Sequence, residues 1–198
     1  MHPHASAEFE VSKSRFLAQV VPITALSELA PLVAFERREH PAAHHVCSAA
    51  RVGLNGEYSR SSDDGEPSGT AGMPILGAIT SAGVSDVCVL VTRYFGGVKL
   101  GTGGLARAYS AAAKQALSAG RTIQRREGVR VSVALSFEQA PKFEHVLRLA
   151  GLAPSLQYSE VVQLSVAVAR TQLDEVLAIF ANASLHPELG EPLVFTDS

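Results

Sequence analysis

Apolar and polar positions alternate most regularly in the C-terminal part of the chain. Every second residue is apolar in 129–135 and again in 162–168, which is the period of a half-buried strand. Apolar residues recur at helical spacing in 143–150 and 173–180, and a last short strand is predicted at 193–195. We take the order of elements as strand, helix, strand, strand, helix, strand, in which the pattern locates three of the four strands. This order is typical of a ferredoxin-like (βαββαβ) domain.

The pattern in the first 127 residues is less regular and predicts both strands and helices. The predicted strands are 9–11, 16–22, 46–52 and 87–92, and the predicted helices are 24–39, 71–82 and one that begins near residue 102. The strand at 87–92 is nearly all apolar, as expected of a strand buried on both faces. The sequence therefore predicts an α+β protein of two domains, residues 1–127 and 128–198.

Composition narrows the class of protein without naming a function. Hydrophobic residues make up 46% and charged residues 18% of the chain, which is ordinary for a folded globular protein. The N-terminus lacks a basic flank followed by an apolar run, and no stretch approaches the ~18 apolar residues of a membrane helix. Cys47 and Cys88 are too few for a disulfide scaffold, so we expect two buried thiols in a reducing compartment. We expect a cytoplasmic protein without a membrane partner.

Charge is distributed unevenly, although the net charge is only −2. Residues 1–127 hold 13 Lys and Arg against 11 Asp and Glu, whereas residues 128–198 hold 4 against 8. Between Asp86 and Glu127 there are seven basic residues and no acidic one. This stretch is the predicted anion-facing surface.

The glycine-rich segment RYFGGVKLGTGGLARAY is the most informative one for chemistry. A buried strand ends at its start and a helix begins inside it, so free backbone amides at the helix start are able to hold a phosphate. It lacks the Walker and dinucleotide-binding patterns. The alternative is that the glycines only permit a sharp turn. The candidate anion-binding residues are Arg93, Lys99, Gly101, Thr102, Gly103, Gly104 and Arg107.

A second basic motif, KSRF, precedes an apolar strand. Its Lys13 and Arg15 either extend the anion-binding surface or form a charged hairpin edge that resists aggregation. The sequence leaves both interpretations open.

The segment SDDGEPSGTAGMPIL places Asp63, Asp64 and Glu66 close together before a predicted helix. Three carboxylates are able to bind Mg²⁺, but they are equally able to accept hydrogen bonds from backbone amides and stabilise the loop. We regard the three acids as candidate residues of a cleft.

The segment HPAAHHVC suggests zinc, because His40, His44, His45 and Cys47 lie within eight residues. Structural zinc sites usually need four ligands in paired short spacings, and no second pair follows. On a strand, His45 and Cys47 share one face while His44 lies on the other. We therefore expect no metal site here, and we keep His44 and His45 as candidate cleft residues.

Together the motifs KSRF, HPAAHHVC, SDDGEPSGTAGMPIL and RYFGGVKLGTGGLARAY, which span residues 13–109, resemble the YigZ/IMPACT family. The resemblance implies an N-terminal ribosomal-protein-S5-domain-2-like domain. It also implies a C-terminal ferredoxin-like domain similar to modules of elongation factor G. Eukaryotic members regulate translation by competing for the activator of a general-control kinase, and bacterial members are thought to bind nucleic acid or ribosomes. The C-terminal module indicates the bacterial type, without the extra N-terminal domain of the eukaryotic members.

The leading hypothesis is a translation-associated regulatory protein that binds RNA or the ribosome through its basic glycine-rich surface. One alternative is a small-molecule or phosphate-handling enzyme that uses the glycine-rich turn and the acidic loop, and another is a protein-only adaptor. No catalytic residue is assigned, because no nucleophile-elbow or triad pattern is present. No cofactor is expected, and RNA, the ribosome or a translation-regulatory protein is the expected partner.

Overall fold

The computed structural model describes residues 4–196, which fold into two compact units. The chain passes from the first unit to the second between Thr122 and Ile123. The first unit contains the strands β1 (Ala5–Val11), β2 (Ser14–Pro22), β3 (His45–Val52), β4 (Tyr58–Ser62) and β5 (Val87–Tyr94), and the helices α1 (Leu29–Glu39), α2 (Gly72–Ser81) and α3 (Gly101–Ala119). The second contains β6 (Arg125–Leu135), α4 (Ala140–Leu149), β7 (Ser155–Tyr158), β8 (Val162–Ala169), α5 (Leu173–Ala181) and β9 (Glu188–Thr196). The chain is therefore a mixed α/β protein, as predicted at this coarse level.

The sheet of the first unit has the order β1-β2-β5-β3-β4, and every neighbouring pair is antiparallel. Helix α1 covers one face, where Leu32 packs with Leu90 of β5. Helices α2 and α3 cover the other face, where Ile75 and Tyr109 pack with Val89 of β5. Because both faces of β5 are covered, its residues from Val87 to Arg93 are all buried and show no alternation.

Helix α3 lies close to the sheet because its buried stripe consists mainly of alanines. Four of these alanines are almost fully buried: Ala108, Ala112, Ala113 and Ala116. Tyr109 is the large residue of the stripe, and its ring meets the ring of Phe16 edge to face at 5.1 Å.

The sheet of the second unit has the order β7-β8-β6-β9, again with antiparallel neighbours. Apolar residues at alternate positions of β6 and β8 face α4 and α5, where the rings of Phe143 and Phe180 stack at 5.4 Å. The predicted period-two pattern of 162–168 is confirmed by the alternating burial of β8.

Two strands were not located by the hydrophobic pattern, and several others, including β6 and β9, begin earlier than predicted. β4 has the polar sequence YSRSS and lies at the sheet edge with most of its side chains exposed, and β7 is a four-residue edge strand. β6 begins at Arg125 instead of residue 129, because its first three residues are exposed although they pair with β9. The predicted boundary at residue 128 therefore lies inside a strand.

Within residues 4–196, none of the helices combines the length and the apolar composition needed to cross a bilayer.

The segment that joins the two units should be the first site of proteolysis. Residues 121–124, between α3 and β6, have no helical or strand structure, and Arg121 is exposed there. We expect brief trypsin treatment to cut after Arg121 and to leave two resistant fragments, as mass spectrometry would detect, while Arg125 and Arg126 are protected by pairing with β9. An Arg121→Gln variant should lose this cut. First cuts inside α3 or β6 would contradict the proposed division.

Candidate functional site

Four segments that the sequence marked as functional meet at one end of the five-stranded sheet. They are the β1–β2 turn at 12–13, the α1–β3 loop at 40–44, the β4–α2 loop at 63–71 and the β5–α3 loop at 95–100. Strand register brings them together, because His45 of β3 lies opposite Arg93 of β5, and Arg15 of β2 lies opposite Tyr94. The candidate site is therefore this end of the sheet.

A buried ion pair lies beneath these loops. Arg93 is only 5% exposed, and its Nη1 donates to Glu66 Oε1 at 2.6 Å. The Tyr109 hydroxyl donates to the same carboxylate oxygen at 2.7 Å, and Arg93 Nη2 donates to Ser14 Oγ at 3.3 Å. Burial, together with the nearby Cys47 and Glu66, raises the pKa of Tyr109, so its hydroxyl remains a donor. The pair thus joins the acidic loop to β2, β5 and α3.

Arg93 is a predicted anion contact, but its side chain is buried. Its guanidinium lies over the rings of Phe16 and Phe95, 5.4 Å from each centroid. Within residues 4–196, its Nε has no hydrogen-bond partner. The hydrogen bonds of Arg93 to Glu66 and Ser14 are therefore made within the protein, by a side chain that is buried.

Asp63 holds the start of α2. Its carboxylate accepts hydrogen bonds from the backbone amides of Gly69 at 2.8 Å, Ala71 at 2.9 Å and Gly72 at 2.8 Å. Burial acts to raise the pKa of Asp63, but these three amides outweigh it and leave the pKa below its usual value.

Asp64 holds the start of β3 in a similar way. Its Oδ2 accepts from the Val46 amide at 2.5 Å, and its carboxylate pairs with the guanidinium of Arg37. The Asp64 carbonyl oxygen lies 2.8 Å from His45 Nδ1. Since Asp63, Asp64 and Glu66 all contact protein donors, the geometry favours the loop-stabilising interpretation of the acidic segment over the magnesium interpretation.

A second buried carboxylate lies on the opposite face of the sheet. Glu36 of α1 is 2% exposed, and its Oε1 accepts from Thr92 Oγ1 at 2.7 Å and from Gln19 Nε2 at 3.2 Å. His40 Nε2 lies 3.3 Å from the same oxygen, and His40 Nδ1 lies 2.7 Å from the Tyr94 hydroxyl. The buried position of Glu36 was not predicted from the sequence. Its spacing from the buried Leu29 and Leu32 on α1 is the signal that could have identified it.

The residues of HPAAHHVC do not converge. His40 contacts the Glu36 group, His44 Nδ1 accepts from the Phe95 amide at 3.2 Å, and His45 lies against the acidic loop. Burial raises the pKa of Cys47 to about 12, and its thiol donates to the Asp63 carbonyl at 3.0 Å. In the described part of the chain, no three His, Cys, Asp or Glu side chains are arranged to hold a metal ion.

Three predicted anion contacts are exposed at this end of the sheet. Lys13 lies in the two-residue β1–β2 turn, and Lys99 lies in the loop before α3. Arg107 reaches back along α3, because a Cβ at Gly103 would lie 3.4 Å from its Nη1. The first residues of α3 (Gly101, Thr102 and Gly103) are exposed, and Leu100 at the N-cap makes no side-chain cap hydrogen bond. Exposed cations therefore flank free backbone amides.

Arg15 is directed to the other face of the sheet. Its guanidinium lies 5.0 Å from the centroid of the Tyr94 ring, and its Nε lies 3.5 Å from Glu8 Oε1. The structure thus places Arg15 and Arg93 at the same end of the sheet but on opposite faces.

Residues 12–117 match the family model of the Impact N-terminal domain. The chain belongs to the IMPACT family. It is 33% identical over 178 residues to the IMPACT family member YigZ of Escherichia coli, covering 88% of this chain and 87% of YigZ. It is 35% identical over 157 residues to the IMPACT family member YvyE of Bacillus subtilis, covering 79% of this chain and 72% of YvyE.

A solved structure supports the arrangement of the elements. The crystal structure of a hypothetical protein, 32% identical in sequence, covers 94% of this chain and 93% of its own, with a TM-score of 0.62. The match to the Impact domain contains all four segments that meet at the end of the sheet. The candidate site therefore lies within the IMPACT domain.

Removing one partner of the buried ion pair should lower the free energy of unfolding more than changing an exposed cation of the site. Glu66→Ala leaves Arg93 buried without its partner, so we expect it to lower the free energy of unfolding by about 3 kcal/mol in urea denaturation. The Glu66→Ala/Arg93→Ala double variant should lose less than the sum of the single changes. Lys99→Glu, an exposed change in the same site, should cost within ~0.5 kcal/mol. Additive losses would contradict the coupling.

The Asp63 cap gives a pH-dependent prediction. Asp63→Asn turns an amide group toward one of the backbone donors, so we expect a loss of about 1 kcal/mol at pH 7. Because the folded pKa of Asp63 is depressed, its contribution is present above the unfolded carboxyl pKa of ~3.9 and is lost as the pH falls through the folded pKa. The stability gap from the wild type should therefore narrow below about pH 4. Glu10→Gln, which neutralises an exposed carboxylate of β1, should show no comparable gap.

Proposed function

We propose that this IMPACT-family protein acts in the regulation of translation and binds RNA or the ribosome through the exposed cations at the start of α3. The surface consists of Lys13, Lys99, Arg107, the exposed residues Gly101, Thr102 and Gly103, and the half-buried Gly104. Arg93 lies buried beneath it, and Arg15 lies at the same end of the sheet on the opposite face. Family membership supports the translation-associated role, and the geometry supports an anionic ligand.

The observation that carries the proposal is that three separate segments at this end of the sheet each expose a cation: the β1–β2 turn, the loop before α3 and the first turns of α3. A helix N-terminus carries partial positive charge, and its unpaired N–H groups are suited to a phosphate. No acidic residue occurs between Asp86 and Glu127 to oppose this charge. The nearby carboxylates of Asp64 and Glu66 are paired with Arg37 and Arg93 and leave the exposed cations available.

The backbone of the β1–β2 turn adds a second supporting observation. Ser12 and Lys13 have φ values of +48° and +63°. Two-residue turns with both φ values positive strongly prefer Asn and Gly, so the two side chains there cost stability, about 1 kcal/mol or more each. Strain of this kind is concentrated at functional sites, and here it occurs in the turn that contains Lys13.

We further propose that the two units have folds common among translation proteins. The βαββαβ order of the second unit and its sheet order β7-β8-β6-β9 support a ferredoxin-like fold similar to modules of elongation factor G. The first unit is proposed to be ribosomal-protein-S5-domain-2-like. Fold similarity alone does not assign function, so the binding surface remains the basis of the proposal.

The enzyme alternative receives less support from the geometry. It requires Asp63, Asp64 and Glu66 to be available for a metal ion, whereas each carboxylate contacts protein donors. The adaptor alternative uses the same cationic surface for an acidic protein, and it is separated from the RNA proposal by direct binding.

Binding to a single-stranded RNA oligonucleotide should depend steeply on salt. Contacts from Lys13, Lys99 and Arg107 should give a log–log slope of affinity against salt of about −2 to −3, from ~0.7 to 0.9 per neutralised phosphate. Lys99→Glu and Arg107→Glu should each weaken binding to all sequences similarly and reduce the slope by about one. Fluorescence anisotropy from low to physiological salt measures both quantities.

Lys114→Glu is the matched control for Arg107→Glu. It makes the same change of charge on an exposed side chain of the same helix, but ~20 Å along the helix from its start. We expect Lys114→Glu to retain wild-type affinity. No binding by the wild type at low salt, or equal losses for all three variants, would reject the surface and favour the adaptor or enzyme alternatives.

A further inference from the structure

Phe95 is a partly exposed aromatic residue in the candidate site that contains Lys13, Lys99 and Arg107. It follows β5 directly, in the loop that contains Lys99, and its side chain is 38% exposed. Phe95 therefore obtains only part of the stabilisation that full burial of a phenylalanine ring provides. Burial alone does not account for the position of the ring.

The ring is nevertheless held firmly. The guanidinium of Arg93 lies over it at 5.4 Å from the centroid, and that guanidinium is itself fixed by Glu66 and Ser14. The His44 ring contacts the Phe95 ring at 6.1 Å with an interplanar angle of 74°, and His44 Nδ1 accepts from the Phe95 amide at 3.2 Å. These contacts thus orient the aromatic ring of a residue that remains more than a third exposed.

The charges around the ring indicate what it would contact. Lys99 lies in the same loop, and the loop packs on the Lys13 turn, because a Cβ at Gly96 would lie 1.9 Å from the Lys13 carbonyl oxygen. An exposed aromatic ring beside cations is the combination by which proteins bind single-stranded nucleic acid, with phosphates on the cations and a base on the ring. Bases of a duplex are stacked on each other and cannot present a face to Phe95.

We propose that Phe95 is a stacking platform for an unpaired base, so that the ligand of the cationic site is single-stranded RNA. This inference rests on the proposed RNA-binding function and specifies its ligand. Stacking is tolerant of sequence because every base has an aromatic face. Specificity for unpaired over paired RNA therefore comes from Phe95, whereas the salt dependence comes from Lys13, Lys99 and Arg107.

The absence of tryptophan from the sequence allows a direct test of stacking. Phe95→Trp introduces a single indole at the proposed platform. Tyr58→Trp is the control, because Tyr58 is 65% exposed and pairs with Val52, at the end of β3 opposite to His45. We expect single-stranded RNA to quench the fluorescence of Phe95→Trp but not of Tyr58→Trp. An abasic oligonucleotide of equal length should bind through its phosphates without quenching.

Affinity measurements separate stacking from charge. Phe95→Ala should weaken binding to single-stranded RNA by about tenfold, the scale of one lost base–aromatic contact, and leave the salt slope unchanged. Phe95→Leu, which keeps apolar bulk without a ring, should show the same loss, and both variants should bind a duplex of the same length as the wild type does. Circular dichroism and thermal unfolding check that the variants are folded.

The outcomes distinguish the two proposals. If wild type shows the expected salt slope but Phe95→Leu binds single-stranded RNA equally well, or quenching is the same at positions 58 and 95, the stacking inference is overturned and RNA binding stands. If wild type binds no RNA at low salt, both are overturned. A duplex affinity equal to the single-strand affinity also overturns the stacking inference.

Discussion

The ion pair between Arg93 and Glu66 determines the geometry of the whole candidate site. Two opposite charges removed from water need partners for their remaining hydrogen-bonding groups. Here Ser14 and Tyr109 supply two of them, whereas Arg93 Nε has none within residues 4–196. The residues involved belong to β2, β5, α3 and the acidic loop. Four segments far apart in sequence are therefore held to one buried group, and the exposed residues above it have fixed positions.

This arrangement separates charges that look equivalent in the sequence. Arg93 is buried and makes its hydrogen bonds within the protein, whereas Lys99 and Arg107 are exposed near the start of α3. The carboxylates of Asp63 and Asp64 are taken up by backbone amides and by Arg37. At the end of the sheet where α3 begins, Lys13, Lys99 and Arg107 are thus exposed, whereas the carboxylates of the acidic loop contact protein donors. Such a surface suits the phosphates of an RNA ligand, in keeping with the proposed role of this IMPACT-family chain.

The elements predictable from sequence are those whose burial leaves a periodic or uniform pattern. β8 alternates, β5 is apolar throughout because helices cover both of its faces, and the glycine-rich turn before α3 lies where expected. β4 was missed because YSRSS at a sheet edge has no buried face to mark. The partners that Glu36 and Glu66 find on other elements were also beyond prediction, since the fold brings them together from positions 17 to 56 residues apart. The short distance between Arg93 and Lys99 in the sequence suggested a shared role. The structure distinguishes them, because Arg93 is buried and Lys99 is exposed.

The close approach of Gly96 to the Lys13 turn links the tolerance of two loops to mutation. A side chain at position 96 would overlap the carbonyl oxygen and the carbonyl carbon of Lys13, both about 2 Å from the added Cβ. The clash involves backbone, so a different rotamer could not relieve it, and the turn and the glycine-rich loop would have to move apart. Genetic variation at this one position would then alter the site through the spacing of its loops, although glycine itself supplies no functional group. In a library of random variants, position 96 would behave like a binding residue without touching the ligand.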